Sequence, residues 1–351
     1  MLTRDELKAS LVSLDQNPLN FERLALDVFR FQYNNNLVYQ AYVNSLNRDV
    51  DKIDRLEKIP FLPIEFFKSH KVVTGQMEEF HVFQSSGTTS SQTSHHFVSD
   101  LPFYEHLSRK TFEQFYGPLT DYHVFALLPS YLERNNSSLV YMVQNFIYHT
   151  YSSASGFYLD NFSDLVANIR AVASDNRKIL LLGVTFGLLD LAENEALSNM
   201  MKDVSDKLIV METGGMKGRR KEMIREDVHE ILTSAFGVKS IHSEYGMTEL
   251  LSQGYSKGEG LFDLPNTMRV LLREVNDPFT YLPSFLLGNP EVQVKYRGKS
   301  GGINVIDLAN IDTCSFIETK DLGSFSEDYT QFRVVGRFDN SDLRGCNLLV
   351  N

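Results

Sequence analysis

Apolar residues recur at helical spacing early in the chain, at Phe21, Leu24, Val28 and Phe31, until Pro60 and Pro63 interrupt them. That pattern predicts a helical N-terminal cap over residues 1–80. From His81 to about Gly260 it gives way to short apolar runs, His123–Leu128, Lys178–Phe186, Lys207–Glu212 and Lys239–His242, each bounded by polar or glycine residues, with helix-compatible stretches between them. Strand and helix alternating in this way predict a mostly parallel sheet flanked by helices, an α/β core over 81–260. Further on, Val292–Tyr296, Gly302–Leu308, Cys314–Glu318 and Gln331–Val335 alternate apolar with polar residues, with Gly and Asp between them. A C-terminal β-rich subdomain over 261–351 is the expectation. In a parallel sheet, ligands gather beyond the carboxyl ends of the strands. Gly214-Gly215 follows one predicted strand and Tyr245–Glu249 another.

Composition narrows the function classes. A formal net charge of −11 argues against nucleic acid or an anionic membrane as the main partner, because both require a basic face. No charged-then-apolar leader and no run of membrane-spanning length is present in the sequence, so a cytoplasmic protein is expected. The two cysteines, Cys314 and Cys346, cannot by themselves build a disulfide framework or a zinc site. Cys314, in a strand-like stretch, reads as a buried small apolar residue. Cys346 stands beside Arg344 and Gly345, where a guanidinium favours the thiolate.

Three polar strings carry candidate chemistry. Ser85-Ser86-Gly87-Thr88-Thr89 is rich in hydroxyls and backbone N–H groups that can wrap a polyphosphate. Glu244-Tyr245-Gly246-Met247-Thr248-Glu249 offers a ring for a base, a hydroxyl for an α-phosphate and a carboxylate for magnesium. Lys320-Asp321-Leu322-Gly323 with Gly336-Arg337-Phe338-Asp339 supplies an acid for a ribose diol and an arginine for a phosphate or hinge contact. In a chain this acidic, the field for ATP would come from Lys217, Arg219, Arg220 and Arg337 with a magnesium ion. His95 and His96 read as surface residues of the strand after the first string, His242 as a satisfied core histidine, and Ser137-Ser138 as a helix N-cap.

The order of these strings resembles the signature of the adenylate-forming superfamily of acyl and aryl ligases. Within it the chain is most similar to the acyl-protein synthetase (LuxE) family, through Ile59–Ile64 with Phe67-Lys68, Leu128–Arg134 with Ser137–Leu139, Glu212–Gly215 with Lys217-Gly218, and the closing Asp342–Cys346. The resemblance implies the α/β N-terminal domain type of those enzymes, lacking the usual C-terminal lid domain, since twelve residues follow Asp339. It also implies ATP and Mg2+ as cofactors, with Ser85, Ser86, Gly87, Thr88, Thr89, Gly214, Gly215, Tyr245, Asp321 and Arg337 on the nucleotide, and Thr248 and Glu249 in catalysis, Glu249 holding the metal. A fatty or similar carboxylic acid would become acyl-AMP, then a thioester on Cys346 for delivery to an acyl reductase partner. A ligase loading CoA or a carrier protein, or an idle nucleotide-binding subunit, are the alternatives. The usual proline-lysine close of the phosphate loop is replaced here by Ser90-Ser91-Gln92.

Overall fold

The computed structural model describes residues 2–15, 17–77, 79–85, 93–128, 136–159, 161–214, 223–282 and 298–338. The chain opens with helices α1 (Arg4–Val12), α2 (Pro18–Asn35) and α3 (Leu37–Ser45), then the two-residue strand β1 (Leu62–Pro63) and the short helix α4 (Phe66–Ser69). An α/β stretch follows: β2 (His81–Gln84), β3 (His95–Val98), α5 (Leu101–Tyr116), β4 (Tyr122–Leu127), α6 (Ser138–His149), β5 (Gly156–Phe157), α7 (Phe162–Val172), β6 (Lys178–Gly183), α8 (Thr185–Ala192), α9 (Glu195–Asp203), β7 (Leu208–Glu212), α10 (Arg225–Phe236), β8 (His242–Tyr245), β9 (Gly254–Ser256) and β10 (Phe262–Asp263). Last come β11 (Met268–Arg273), β12 (Gly301–Asp307), β13 (Phe316–Phe325) and β14 (Phe332–Arg337). The described residues form two compact units, one from those up to 66 together with those from 266 on, the other from 67–265.

In the unit spanning 67–265, β5, β4, β6, β7 and β8 lie side by side in parallel, and β9 and β10 continue the sheet antiparallel from β8. Every residue of β4 is buried, as a strand covered on both faces requires. On one face Phe125, Leu127, Leu181 and Val210 meet Leu165, Leu188, Met201, Leu232 and Phe236 of helices α7 to α10. On the other, Phe112 of α5 packs against Tyr122, Phe146 and Tyr255, with ring centroids 5.6, 5.1 and 5.9 Å away. A separate antiparallel hairpin joins β2 to β3.

Two predicted strand boundaries shift. The run Lys178–Phe186 yields a strand only to Gly183 and turns into α8 at Thr185. The expected Lys239–His242 strand lies instead at His242–Tyr245, so Tyr245 ends the strand rather than following it.

The other unit is an antiparallel meander, β11-β12-β13-β14, with β1 parallel to β13. The N-terminal helices pack here, and polar side chains lock them in place. The buried Gln32 amide donates to the Asn310 and Ile311 carbonyls at 2.8 and 3.1 Å and accepts from Ser315 N–H at 3.0 Å. Asn36 donates to the Thr313 carbonyl at 2.8 Å, and Lys8 reaches Asp312 at 2.8 Å. Of the four apolar residues read at helical spacing, Phe21, Leu24 and Val28 are buried and Phe31 is half-buried, while Phe29 is buried. Predicted strand Val292–Tyr296 lies outside the described residues, β11 was not anticipated, and Cys314 precedes its strand by two residues.

Candidate functional site

Leu127, Gly183, Glu212 and Tyr245 end the parallel strands β4, β6, β7 and β8, and the described candidates Gly214, Tyr245, Thr248 and Glu249 lie at or just after the last two of those ends. The stem of the hydroxyl loop is clasped where β2 passes into β3: Ser85 N–H donates to the Ser94 carbonyl at 3.2 Å, and Ser94 N–H returns a bond to Ser85 Oγ at 2.9 Å. Gln84 is held twice to Asn136, through its N–H to the Asn136 carbonyl at 2.7 Å and its side-chain oxygen to the Asn136 amide at 2.8 Å. Asn136 directly precedes Ser137, which caps α6 by accepting from Val140 N–H. Ser86, Gly87, Thr88 and Thr89 lie outside the described residues.

His96 ties this hairpin to the acidic motif. It is fully buried rather than on the surface, and its Nδ1 stands 2.7 Å from the Thr248 carbonyl. A carbonyl only accepts, so Nδ1 carries the proton. The Phe67 ring meets the imidazole edge-on at 5.9 Å and fixes its plane. The residue after Thr248, Glu249, is 5% exposed. Tyr245 is also buried, its ring tilted against Phe262 at 5.8 Å.

At the end of β7, Glu212 is the centre of a polar knot. Its carboxylate accepts from Thr185 Oγ at 3.1 Å, Ser243 Oγ at 2.9 Å and Gly214 N–H at 2.9 Å, with Arg225 Nε at 3.7 Å and His229 Nε2 at 3.8 Å. Burial acts to raise this carboxyl, but His229, Arg225, Ser243 and the Gly214 amide together hold it below its ordinary value. Gly214 has φ +73°, a left-handed turn that glycine adopts without strain. Gly215, Lys217, Arg219 and Arg220 lie outside the described residues. Glu244 behaves oppositely. Burial first, then the nearby Glu212 charge, push its carboxyl up to about 8.

His242 makes the partner expected of a core histidine: its Nδ1 is 3.0 Å from the Tyr116 hydroxyl. Burial and Lys257 lower it to about 4.

In the other unit, Asp321 and Arg337 are register partners across β13 and β14. Arg337 Nε stands 3.2 Å from Asp321 Oδ1, so two residues 16 positions apart form one ion pair. Asp321 is buried, while the Arg337 side chain is 69% exposed. Cys314 is fully buried, its thiol 3.5 Å from the Phe316 carbonyl and pushed up to about 12 by burial. Cys346 lies outside the described residues.

Sequence reasoning named Glu212 only within a resemblance motif, with no role of its own, and misplaced His96. The first had a signal, a charge closing the otherwise apolar string Leu208-Ile209-Val210-Met211. The second had none, because its partner is a main-chain carbonyl 152 positions away.

The acyl-protein synthetase, LuxE, family matches residues 8–351. No curated protein matches the chain. Among solved structures, ATP-bound MatB from Rhodopseudomonas palustris is similar at 16% identity and a TM-score of 0.50, over 73% of this chain and 47% of that one. The acyl acid amido synthetase AtGH3.15, in complex with 2,4-DB, is similar at 12% identity and a TM-score of 0.53, over 97% of this chain and 72% of that one. The chain thus spans about half the length of the MatB structure it matches. Among the described residues, no helix is long and apolar enough to cross a membrane.

Proposed function

The chain belongs to the acyl-protein synthetase (LuxE) family, and from that premise we propose that it activates a carboxylic acid with ATP and passes the acyl group to a thiol. The observation that carries the reading is the His96 bond to the Thr248 carbonyl. It joins the hairpin of the hydroxyl loop to the motif that ends in Glu249, at the carboxyl edge of a parallel sheet, where such folds bind ligands. MatB, of like fold, holds ATP in its structure.

In the first step an oxygen of the acid's carboxylate attacks the α-phosphorus of ATP. The bond to the bridging oxygen breaks and pyrophosphate leaves with the electron pair. Ser85, Ser86, Gly87, Thr88 and Thr89 cradle the departing phosphates, Gly214 and Gly215 bring backbone close to the nucleotide, Tyr245 flanks the base, and Thr248 bonds the α-phosphate. Asp321 takes the ribose hydroxyls, and Arg337, now seen to pair with it, orients that carboxylate.

Magnesium, when bound, offsets charge on the phosphate oxygens. Among the described residues no cluster of three or more metal-ligating side chains occurs, and a single buried carboxylate at Glu249 suits an ion held largely by phosphate oxygens and water. In the second step the Cys346 thiolate attacks the acyl carbon, the C–O bond to AMP breaks, and a thioester remains for an acyl reductase partner to collect. A fatty acid is the substrate that the family implies.

Acid-dependent exchange of labelled pyrophosphate into ATP tests the first step. Glu249→Gln should lower the exchange by one to several orders of magnitude without loss of fold, as a metal ligand losing its charge does. A folded wild-type protein that exchanges with no acid in a broad panel would sink the proposal.

A further inference from the structure

One group of buried polar side chains at the end of β8 is used by none of these roles. Strand alternation divides this end of the sheet. Ser243 and Tyr245 face the α10 side, where Ser243 bonds Glu212 and Tyr245 meets Phe262. Glu244 faces the α5 side and is the register partner of Tyr255 on β9. The Tyr255 ring, 1% exposed, is walled by Phe112, Phe115 and Tyr116 at 5.9, 5.7 and 5.5 Å. Its hydroxyl has no hydrogen-bond partner among the described residues.

Gln253, 3% exposed, spends its amide nitrogen on the Leu251 carbonyl at 3.3 Å, while its side-chain oxygen has no partner among the described residues. Both neighbours crowd the exposed Gly246. A Cβ there would collide with Glu244 Oε1 and lie 3.6 Å from Gln253 Cγ. Glycine at 246 therefore leaves room for the Glu244 carboxyl.

Buried hydroxyl and amide oxygens are paired in nearly all folded proteins. Two orphans on one side of one strand end, beside the motif that would bind the nucleotide from the other face, call for a donor and acceptor brought by a ligand. Resting on the acid-activation reading, we infer that the acid substrate carries a hydroxyl group that bonds the Tyr255 phenol and the Gln253 side-chain oxygen. A hydroxyl donates to Gln253 and accepts from Tyr255 at once, whereas a plain alkyl chain would bury both groups unpaired. Sites built to bond a hydroxyl discriminate strongly against analogues lacking it.

The test compares matched acids, straight-chain alkanoates against the same chains with a hydroxyl at successive positions, and benzoate against its hydroxylated forms. Pyrophosphate exchange and calorimetric binding are both read, with the wild type, Tyr255→Phe and Gln253→Met. At least one hydroxylated acid should exceed its parent by about tenfold or more in kcat/KM, and Tyr255→Phe should collapse that ratio towards one. Tyr255→Phe keeps the ring and its packing; Gln253→Met reads the second group if the first variant is unstable. Parent acids used as well as or better than hydroxylated ones, or a ratio untouched by both variants, would overturn the inference. Exchange with no acid would count against adenylation itself, and calorimetry would then decide: tighter binding of a hydroxylated acid, lost in Tyr255→Phe, supports the hydroxyl site, and equal or absent binding overturns it.

Discussion

At the scale of single residues, two predictions separate position from charge. His96 touches no proposed substrate, and its Nδ1–H fixes the main chain at Thr248. His96→Ala should slow pyrophosphate exchange by about ten- to a hundredfold, the range for a reacting group displaced by roughly 1 Å. His96→Asn, whose amide N–H sits close to the lost Nδ1–H, should recover much of the rate at equal thermal stability. Equal rates in both variants would reduce His96 to packing.

Glu244 carries the pH prediction. Its folded value of about 8 lies above the ordinary 4.5, so between these values the folded chain keeps a proton that the unfolded chain has released. Its contribution to stability is present below about 4.5 and is lost as pH rises through about 8. Glu212 of β7 and Tyr255 of β9 are the ionisable groups that act on it. His242, held near 4, acts in the other direction, lowering stability as pH falls below its ordinary value near 6.5. Urea unfolding at pH 6.5 and 8.5 should show wild type losing roughly 1–2 kcal/mol more than Glu244→Gln. Parallel losses would show that Glu244 ionises normally.

At the scale of elements, legibility followed apolar periodicity and failed where polar groups or long-range partners decide. The strands β4, β6 and β7 were readable because a doubly covered parallel strand is a continuous apolar run. The end of β6 was not, since the N-cap Val184 and then Phe186 and Leu188 of the next helix continue the apolar run as core residues, and a short apolar run has no period of its own. Likewise β8 was displaced because Ile241 is the apolar residue while His242, Ser243 and Glu244 carry the ladder. On α2, Phe21, Leu24 and Val28, read at helical spacing, are buried, yet its anchor is Gln32, which no hydrophobic pattern reveals. Gln32→Ala would remove the side-chain partner of the buried Ile311 carbonyl and Ser315 N–H, while the Asn310 carbonyl keeps the Thr313 N–H. We expect a loss of about 2–4 kcal/mol in urea unfolding, from the cost of orphaned buried polar groups. A loss under about 0.5 kcal/mol would mean that water replaces the amide.

At the scale of the whole molecule, the sequence contains two thiols, and their surroundings make the acyl acceptor testable without ambiguity. Cys314 is fully buried and its thiol is raised to about 12, so at pH 8 it is almost wholly protonated and shielded, and the thiolate is the nucleophile. Alkylation of the native protein should therefore leave Cys314 unmodified until denaturant is added, whatever happens at Cys346. The same contrast governs acylation. With ATP, magnesium and an accepted acid, intact mass should show one acyl adduct, sensitive to hydroxylamine. The adduct should persist in Cys314→Ser and vanish in Cys346→Ser, while the latter still exchanges pyrophosphate because the first step needs no thiol. Its rate of formation should rise with pH as the Cys346 thiolate fills. Peptide mapping that places the acyl group on Cys314, or a Cys346→Ser variant that acylates CoA efficiently while the wild type forms no adduct, would transfer the acceptor role from the chain itself to a diffusible thiol.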